Sequence, residues 1–468
     1  MNMNLAQLKN SVTCLSHRHI GHSVLVSDVV TDSRKVTPGC LFVAILGEKY
    51  DAHDFLEDVV RQGAAGIVVE HVAGTSSIPA LVVPDTRIAL GEIAHYWRTQ
   101  FNLPIIAVTG SNGKTTVKEM IASILTANFG SDFTLATKGN LNNDIGVPQT
   151  LFRLDEKHRA AVVELGMNHP GEIARLTATA CPTVGLVNNA QREHQEFMQS
   201  VEAVAKENGA VLQGLPEDGV AVFPANDTFS ELWRGYAGKR KIITFGLDDG
   251  QPKADISGSF QPTVFGSKLI VKFLDTVEGE QTLPIALSVA GTHNVLNALA
   301  AIASCRAIGC TNEAIVEGLQ GFQPVSGRMQ KKQAHNSAVI IDDTYNANPD
   351  SVRAAIDVLA QITGEKILVL GDMGEVGADG PSYHAEIGRY ARQKNIDMLM
   401  TLGQLAHHST VAFGADLTGA SSAMHFEHID ALLKQLDEKI SSKTTILIKG
   451  SRFMKMERVV MHLTSSER

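Results

Sequence analysis

The chain has 468 residues, 44% of them hydrophobic and 19% charged, with a formal net charge of −9. This is the composition of an ordinary globular protein and argues against fibre or disorder, while the acidic balance, with no Lys/Arg-rich run, argues against nucleic acid and anionic membrane as partners. At about 150 residues per domain, the length predicts about three domains.

The opening "MNMNLAQLKNSV" lacks the basic start and apolar core of a secretory signal, and no later apolar run approaches the ~20 residues of a membrane span. Cys14, Cys40, Cys181, Cys305 and Cys310 show neither C-x-x-C nor zinc-ligand spacing, which fits a reducing compartment. A cytoplasmic protein is therefore expected. The histidine-dense "HRHIGH", His17 to His22, has no carboxylate or cysteine beside it and reads as a polar turn rather than a metal site. After it, "CLFVAI", the helical "DFLEDVVRQGA", "AGIVVE" and "ALVVPD" alternate, so residues 1–85 read as a small α/β domain. A helix starting at Asp85 carries Leu90, Ile93, Ala94 and Trp97 on one face and ends before Pro104.

A second domain, 86–322, centres on "AVTGSNGKTTVKEM". The run Pro104 to Val108 suits a buried strand, and Val117, Met120, Ile121, Ile124 and Leu125 recur at helical spacing. A loop between strand and helix turns backbone N–H groups toward an anion, glycines allow close approach, and the helix N-terminus adds its positive dipole end. Lys114 contributes a full charge, and Thr115 stands where such loops present a hydroxyl to magnesium. The pattern is the shorter G-x-x-G-K-T, because Val108 occupies the position where G-x-x-x-x-G-K-[ST] has its first glycine. A triphosphate site is expected. Strand-like "AAVVELG" and "TVGLVNN" end in polar residues, at the carboxyl ends where ligands gather in parallel sheets. Glu164 and His194 lie just there, and with Thr115 they would suit Mg²⁺; each is equally readable as a solvated loop residue. "SKLIVKFLDT" and "QTLPIALSV" suggest an antiparallel annex, and "GTHNVLNALAAIASCRAIG" a further helix.

"GFQPVSGRMQ" is the second linker. Beyond it, in domain 323–468, "AVIIDD", "KILVLGD", "IDMLMTLG" and "TILIKGS" read as strands with helices between, an open and mostly parallel sheet. "DDTYNANPDS", "GDMGEVG" and "IKGSRFMKME" each follow a strand and are either turns or the polar lining of a cleft. A phosphate loop alone leaves open whether the γ-phosphate is hydrolysed, transferred or used to activate an acid. A binding module that hydrolyses little remains compatible with these residues.

In this order, "TDSRKVTPGCLFVAILGEKYDAHDF", "TGSNGKTT", "GNLNNDIGVPQTL", "ELGMNHPGEI", "GTHNVLNALAA", "GRM", "DDTYNANPDSVRAA", "VLGDMGEVG" and "KGSRFMKME" resemble the Mur ligase family, the ATP-dependent amide-forming enzymes of bacterial cell-wall synthesis. The resemblance spans nearly the whole chain. It implies an α/β fold of three domains: a small N-terminal one for a UDP-sugar, a central P-loop mononucleotide-binding one with a mostly parallel sheet, and a Rossmann-like C-terminal one. "YNANP" is similar to the member that joins D-alanyl-D-alanine to UDP-N-acetylmuramoyl-tripeptide, whereas the diamino-acid-adding member has a loop resembling D-N-P-R, not found here. A folate-polyglutamylating ligase shares the loop but lacks a uridine-nucleotide domain before it.

Carried over residue by residue, the resemblance implies phosphate contacts at Gly110, Ser111, Asn112, Gly113, Lys114, Thr115 and Thr116, with Mg²⁺ held by Thr115, Glu164 and His194. It implies adenine-side contacts at Asn294 and Asn297, and contacts to the ATP from Arg328 and Asp343. Asp32, Ser33 and Arg34 would meet the UDP-sugar, and Tyr345, Asn346 and Asn348 the dipeptide. Lys114, Glu164 and His194 would carry the catalysis of a monomeric enzyme. In the family a lysine fourteen residues after the magnesium histidine becomes a carbamate; here Asn208 stands at that position, and Lys206, two residues away, points elsewhere on a helix. No carbamate is expected, with Asn208 or water completing the shell around the metal.

Overall fold

The computed structural model describes residues 1–21, 24–47, 49–71, 78–193, 195–274, 282–414 and 422–465. Three principal sheets follow one another along the chain. The first orders its strands Ser16–Arg18, Ala80–Val82, Gly66–Val69, Leu41–Val43 and Val29–Val30, all parallel except the first. Here "HRHIGH" departs from the expected turn. His17 and Arg18 pair with Leu81 and Ala80 as an antiparallel edge strand, because the apolar run Ala80–Val82 offers its free edge to whatever backbone passes. His22 lies outside the described residues.

The helix Thr86–Arg98 leaves this sheet, N-capped by Asp85, whose carboxylate accepts the N–H groups of Arg87 and Ile88. Its buried Leu90, Ile93, Ala94 and Trp97 form the face foreseen from the sequence, and it packs against the helices Gly146–Leu151 and Glu172–Ala180 of the central part. Buried Arg98 ties these pieces together by donating to the carbonyls of Ala180, Cys181, Phe101 and Leu103.

The central sheet has nine strands, seven of them parallel, with Gly266–Phe273 and Thr282–Leu287 added antiparallel at one edge. Ile105–Thr109, buried throughout, lies between Ala160–Glu164 and Val184–Val187. Register aligns Glu164 with Val108 and Val187 with Thr109, so three strands end together. That shared edge is where the loops meet. The following helix, Lys114–Phe129, buries Val117, Met120, Ile121, Ile124 and Leu125. The C-terminal sheet orders Gln330–Gln333, Val339–Asp343, Thr444–Lys449, Glu365–Gly371, Met398–Leu402 and Ser422–Phe426, parallel except at its first edge strand. Among the described residues no helix is long and apolar enough to cross a membrane.

Candidate active site

A cavity of about 840 Å³ opens where the central strand ends face the C-terminal part. Its floor is the phosphate loop. Gly110 (φ +130°) and Gly113 (φ +82°) adopt conformations that side chains resist, and a Cβ on Gly113 would stand 2.5 Å from Asn297 Oδ1. The loop is held from below and behind by amides. Asn208 Oδ1 accepts the Gly110 N–H at 3.0 Å, Asn189 Oδ1 accepts the Asn112 N–H at 2.9 Å, and Ser111 Oγ accepts the Gln191 N–H at 2.8 Å. Thr109 Oγ1 donates to the carbonyls of Leu186 and Asn208.

Lys114 Nζ lies over this loop, donating to the carbonyls of Gly110 and Ser111, with Glu193 Oε2 at 3.3 Å. The Thr115 hydroxyl donates to Glu164 Oε1 at 3.2 Å, and Asn142 Nδ2 donates to the same oxygen at 2.8 Å. Glu164 is 2% exposed, and its Oε2 has no partner among the described residues. Leaving a buried carboxylate oxygen unpaired is costly, so this atom marks a place for a cation or a donor. Hydroxyl and carboxylate oxygens suit Mg²⁺. No group of three or more His, Cys, Asp or Glu side chains forms a metal cluster among the described residues. His194 lies outside the described residues.

Asn294 and Asn297, both buried on the helix Thr292–Ala307, form a ladder with Asn188: Asn188 Nδ2 donates to Asn297 Oδ1 at 2.9 Å, and Asn297 Nδ2 to Asn294 Oδ1 at 3.2 Å. Phe245, Asn226 and Asp227 line the same end of the cavity, and burial pushes the Asp227 carboxyl up.

From the C-terminal part, the Arg328 guanidinium lies 4.0 Å from the Tyr345 ring centroid. Asp343 accepts the Met329 N–H at 3.1 Å and pairs with Lys449 Nζ at 2.6 Å. Asn348 caps the helix Pro349–Ala360, accepting the Ser351 N–H at 2.8 Å, while its Nδ2 donates to Asn112 Oδ1 of the phosphate loop at 2.9 Å. Both ends of its amide are engaged within the chain; of its neighbours in the turn, Tyr345 and Asn346 also line the cavity, with Asn346 Oδ1 accepting the Ala347 N–H at 2.9 Å. Asn208, at 1% exposure, supports the phosphate loop through Oδ1 on Gly110, while its Nδ2 has no partner among the described residues.

Gly113, Lys114, Thr115, Thr116, Glu164, Asn294, Asn297, Arg328, Asp343 and the turn Tyr345 to Asn348 thus come together around one cavity, with Ser111 and Asn112 beside them. Asp32, Ser33 and Arg34 do not line it. They form a short 3₁₀ turn in which Arg34, 86% exposed, donates to Asp32 and holds that carboxyl down at about 2.

Sequence reasoning missed a cross-junction clasp. Arg192 pairs with Asp350 at 2.6 Å and Glu386 at 2.8 Å, Arg353 supports Glu386 at 2.9 Å, and the Arg192 guanidinium lies over the Tyr383 ring. No local signal exists for it, because the partners are 158 and 194 residues away. Lys449 had a signal: a lysine closing the apolar strand Thr444–Lys449, buried to 3%.

Three family models match in succession: the Mur ligase family catalytic domain over residues 26–98, the Mur ligase middle domain over 108–305, and the Mur ligase glutamate ligase domain over 327–452. The UDP-N-acetylmuramoyl-tripeptide–D-alanyl-D-alanine ligase of Escherichia coli K12 is 40% identical over 446 residues, 95% of each chain. The chain belongs to the Mur ligase family. Among solved structures, MurF from Acinetobacter baumannii superposes with a TM-score of 0.89 at 34% identity over 99% of both chains. A structure described as UDP-N-acetylmuramoylalanyl-D-glutamyl-2,6-diaminopimelate–D-alanyl-D-alanyl ligase, also from A. baumannii, gives a TM-score of 0.84 at 33% identity, covering 99% of this chain and 98% of that one. The α/β architecture with mostly parallel sheets is therefore that of a Mur ligase, as the motif order implied.

Proposed function

We propose that this Mur ligase is an ATP-dependent carboxylate–amine ligase that joins D-alanyl-D-alanine to UDP-N-acetylmuramoyl-tripeptide in the synthesis of peptidoglycan precursor. Its 40% identity to the E. coli ligase of that name over 95% of the chain supports the substrates. The carrying observation within the molecule is the 2.9 Å hydrogen bond between Asn112 of the phosphate loop and Asn348 of the C-terminal turn. It brings a γ-phosphate site and an acceptor site into one cavity.

In this reading residues 1–85 hold the UDP-sugar, through Asp32, Ser33 and Arg34; residues 86–322 hold ATP; and residues 323–468 present the dipeptide. The terminal carboxylate of the tripeptide attacks the γ-phosphorus, the bond to the β,γ-bridging oxygen breaks, and ADP leaves. The resulting acyl phosphate is attacked by the dipeptide amine; the tetrahedral intermediate expels inorganic phosphate as the C–O bond breaks, and the amine gives up its proton. Lys114 and the N–H groups from Gly113 to Thr116, at the start of the helix, stabilise the charge on the transferring phosphoryl group. Asn294 and Asn297 receive the adenine end, while Arg328 and Asp343 reach the nucleotide from the C-terminal part. Thr115, Glu164 and His194 would hold Mg²⁺, which when bound neutralises phosphate charge. Tyr345, Asn346 and the helix capped by Asn348 orient the dipeptide without adding a charge that would misplace its amine. Closure of the C-terminal part keeps water from the acyl phosphate.

In this reading the enzyme acts as a monomer in the cytoplasm, where its free cysteines would stay reduced. The test is an ATP-turnover assay with a panel of UDP-muramoyl peptides and amines. Phosphate release that requires both a UDP-muramoyl tripeptide and D-alanyl-D-alanine is expected. Release without an amine, or a preference for a diamino acid over the dipeptide, would defeat the reading.

A further inference from the structure

The basic side chains that line the cavity differ in one respect. Lys114 faces Glu193, Arg87 pairs with Asp144 at 3.1 Å, Lys449 with Asp343, and Arg192 with Asp350 and Glu386. Arg175 and Arg328 have no carboxylate partner among the described residues, and both line the cavity. Arg328 stacks on Tyr345 at the nucleotide side. Arg175, an exposed residue, is carried by the helix Glu172–Ala180, which packs against Thr86–Arg98.

That helix is held firmly. Glu207, on the helix Val201–Gln213, accepts the N–H groups of Gly171 and Ile173 at 2.8 Å each, and Glu172 accepts those of Asn168 and His169. The next residue of the same supporting helix, Asn208, holds Gly110. Adjacent residues of one helix thus fix the phosphate loop and the base of Arg175 relative to each other. The guanidinium lines the cavity from a helix whose start is fixed by Glu207.

Resting on the ligase reading, we propose that Arg175 receives a carboxylate of the peptidyl substrate other than the one that reacts, and so sets selectivity for that peptide. The chemistry of the peptide supplies two such groups. A D-glutamyl residue bonded through its amine and one carboxyl keeps its second carboxyl, and a terminal 2,6-diaminopimelate with one carboxyl activated keeps its other. A planar guanidinium with fixed donors matches either by a bidentate pair.

The experiment compares the wild-type enzyme, Arg175→Ala and Arg175→Lys with three UDP-muramoyl tripeptides: one ending in diaminopimelate, one with lysine in its place, and one with the D-glutamyl carboxyl amidated. Losing one charge-assisted contact raises a KM by about tenfold to a hundredfold. Arg175→Ala is expected to raise the KM of the diaminopimelate peptide by that factor with kcat and the KM for ATP unchanged, and Arg175→Lys to recover part of it. Whichever reduced peptide the variant binds no worse than wild type does identifies the carboxylate. An unchanged KM, or an equal loss for all three peptides, overturns the proposal while leaving ligation intact. Failure of wild type to release phosphate with any peptide instead overturns the ligase reading on which it rests.

Discussion

At the scale of single residues, the phosphate loop is held by buried amides, while Glu164 Oε2 and Asn208 Nδ2 have no partner among the described residues. Lys114 donates to two loop carbonyls and faces Glu193, but Asn208 and Asn189 also hold the loop, so removing the lysine mainly takes away the charge that a γ-phosphate needs. Lys114→Ala is expected to abolish turnover while binding of the UDP-peptide, measured by calorimetry, stays near normal; substantial ligation by the variant would contradict the ATP assignment. Asn208 makes a different case. A lysine carbamate at this position would have to displace an amide that already accepts the Gly110 N–H in a site closed to solvent. Activity is expected to be the same with and without bicarbonate after CO₂ is removed. Asn208→Ala should strip Gly110 of its partner, costing about 1–3 kcal/mol for an unsatisfied buried donor, read as a lower Tm and a raised KM for ATP. Rescue by bicarbonate would show a carbamate elsewhere.

At the scale of elements, the helix Pro349–Ala360 joins fold to function. Asn348 and Ser351 form a reciprocal capping box, with Pro349 at the first helical position, and the same Asn348 amide reaches the phosphate loop. The cap was legible in "NANPDS" as a turn before a helix; its second bond was not, because Asn112 lies 236 residues away. Asn348→Ala removes both. Loss of the cap costs about 0.5–2 kcal/mol, and loss of the bridge loosens both substrates' walls, so the KM values for ATP and dipeptide should rise together. Asn348→Asp keeps the cap and loses the donor. It is expected to restore Tm without restoring either KM, and recovery of both would assign the defect to the cap alone.

At the scale of the whole molecule, the Arg192 clasp joins the central part to the C-terminal part beside the cavity. The Arg192 guanidinium, as hydrogen-bond donor, holds the Glu386 carboxyl below its ordinary range, and Arg353 adds to this. A carboxyl whose affinity for protons is lower in the docked arrangement than in the separated one favours docking above its ordinary range, and that contribution is lost as pH falls through the lowered value. Closure should therefore weaken on acidification, seen as a growing radius of gyration in a small-angle scattering series. Glu386→Gln should flatten that dependence and raise the dipeptide KM. A pH profile identical to wild type would remove the clasp from closure.

The order of elements, the glycine-bracketed loop, the strand ends carrying Glu164 and the turn after Val339–Asp343, and the family itself were all legible in the sequence, because each depends on residues close together in the chain. Periodicity reports which face of a helix is buried, and a loop motif reports its own backbone. What only the tertiary structure decided was who meets whom. The Asn188–Asn297–Asn294 ladder, the amide of Asn208 under Gly110, the Arg192 clasp and the unmatched guanidinium of Arg175 rest on side chains brought together by sheet register and by the docking of two sheets. Burial makes such encounters matter. A polar group removed from water must find its partner wherever the fold has placed it, and spacing along the chain carries no record of that distance.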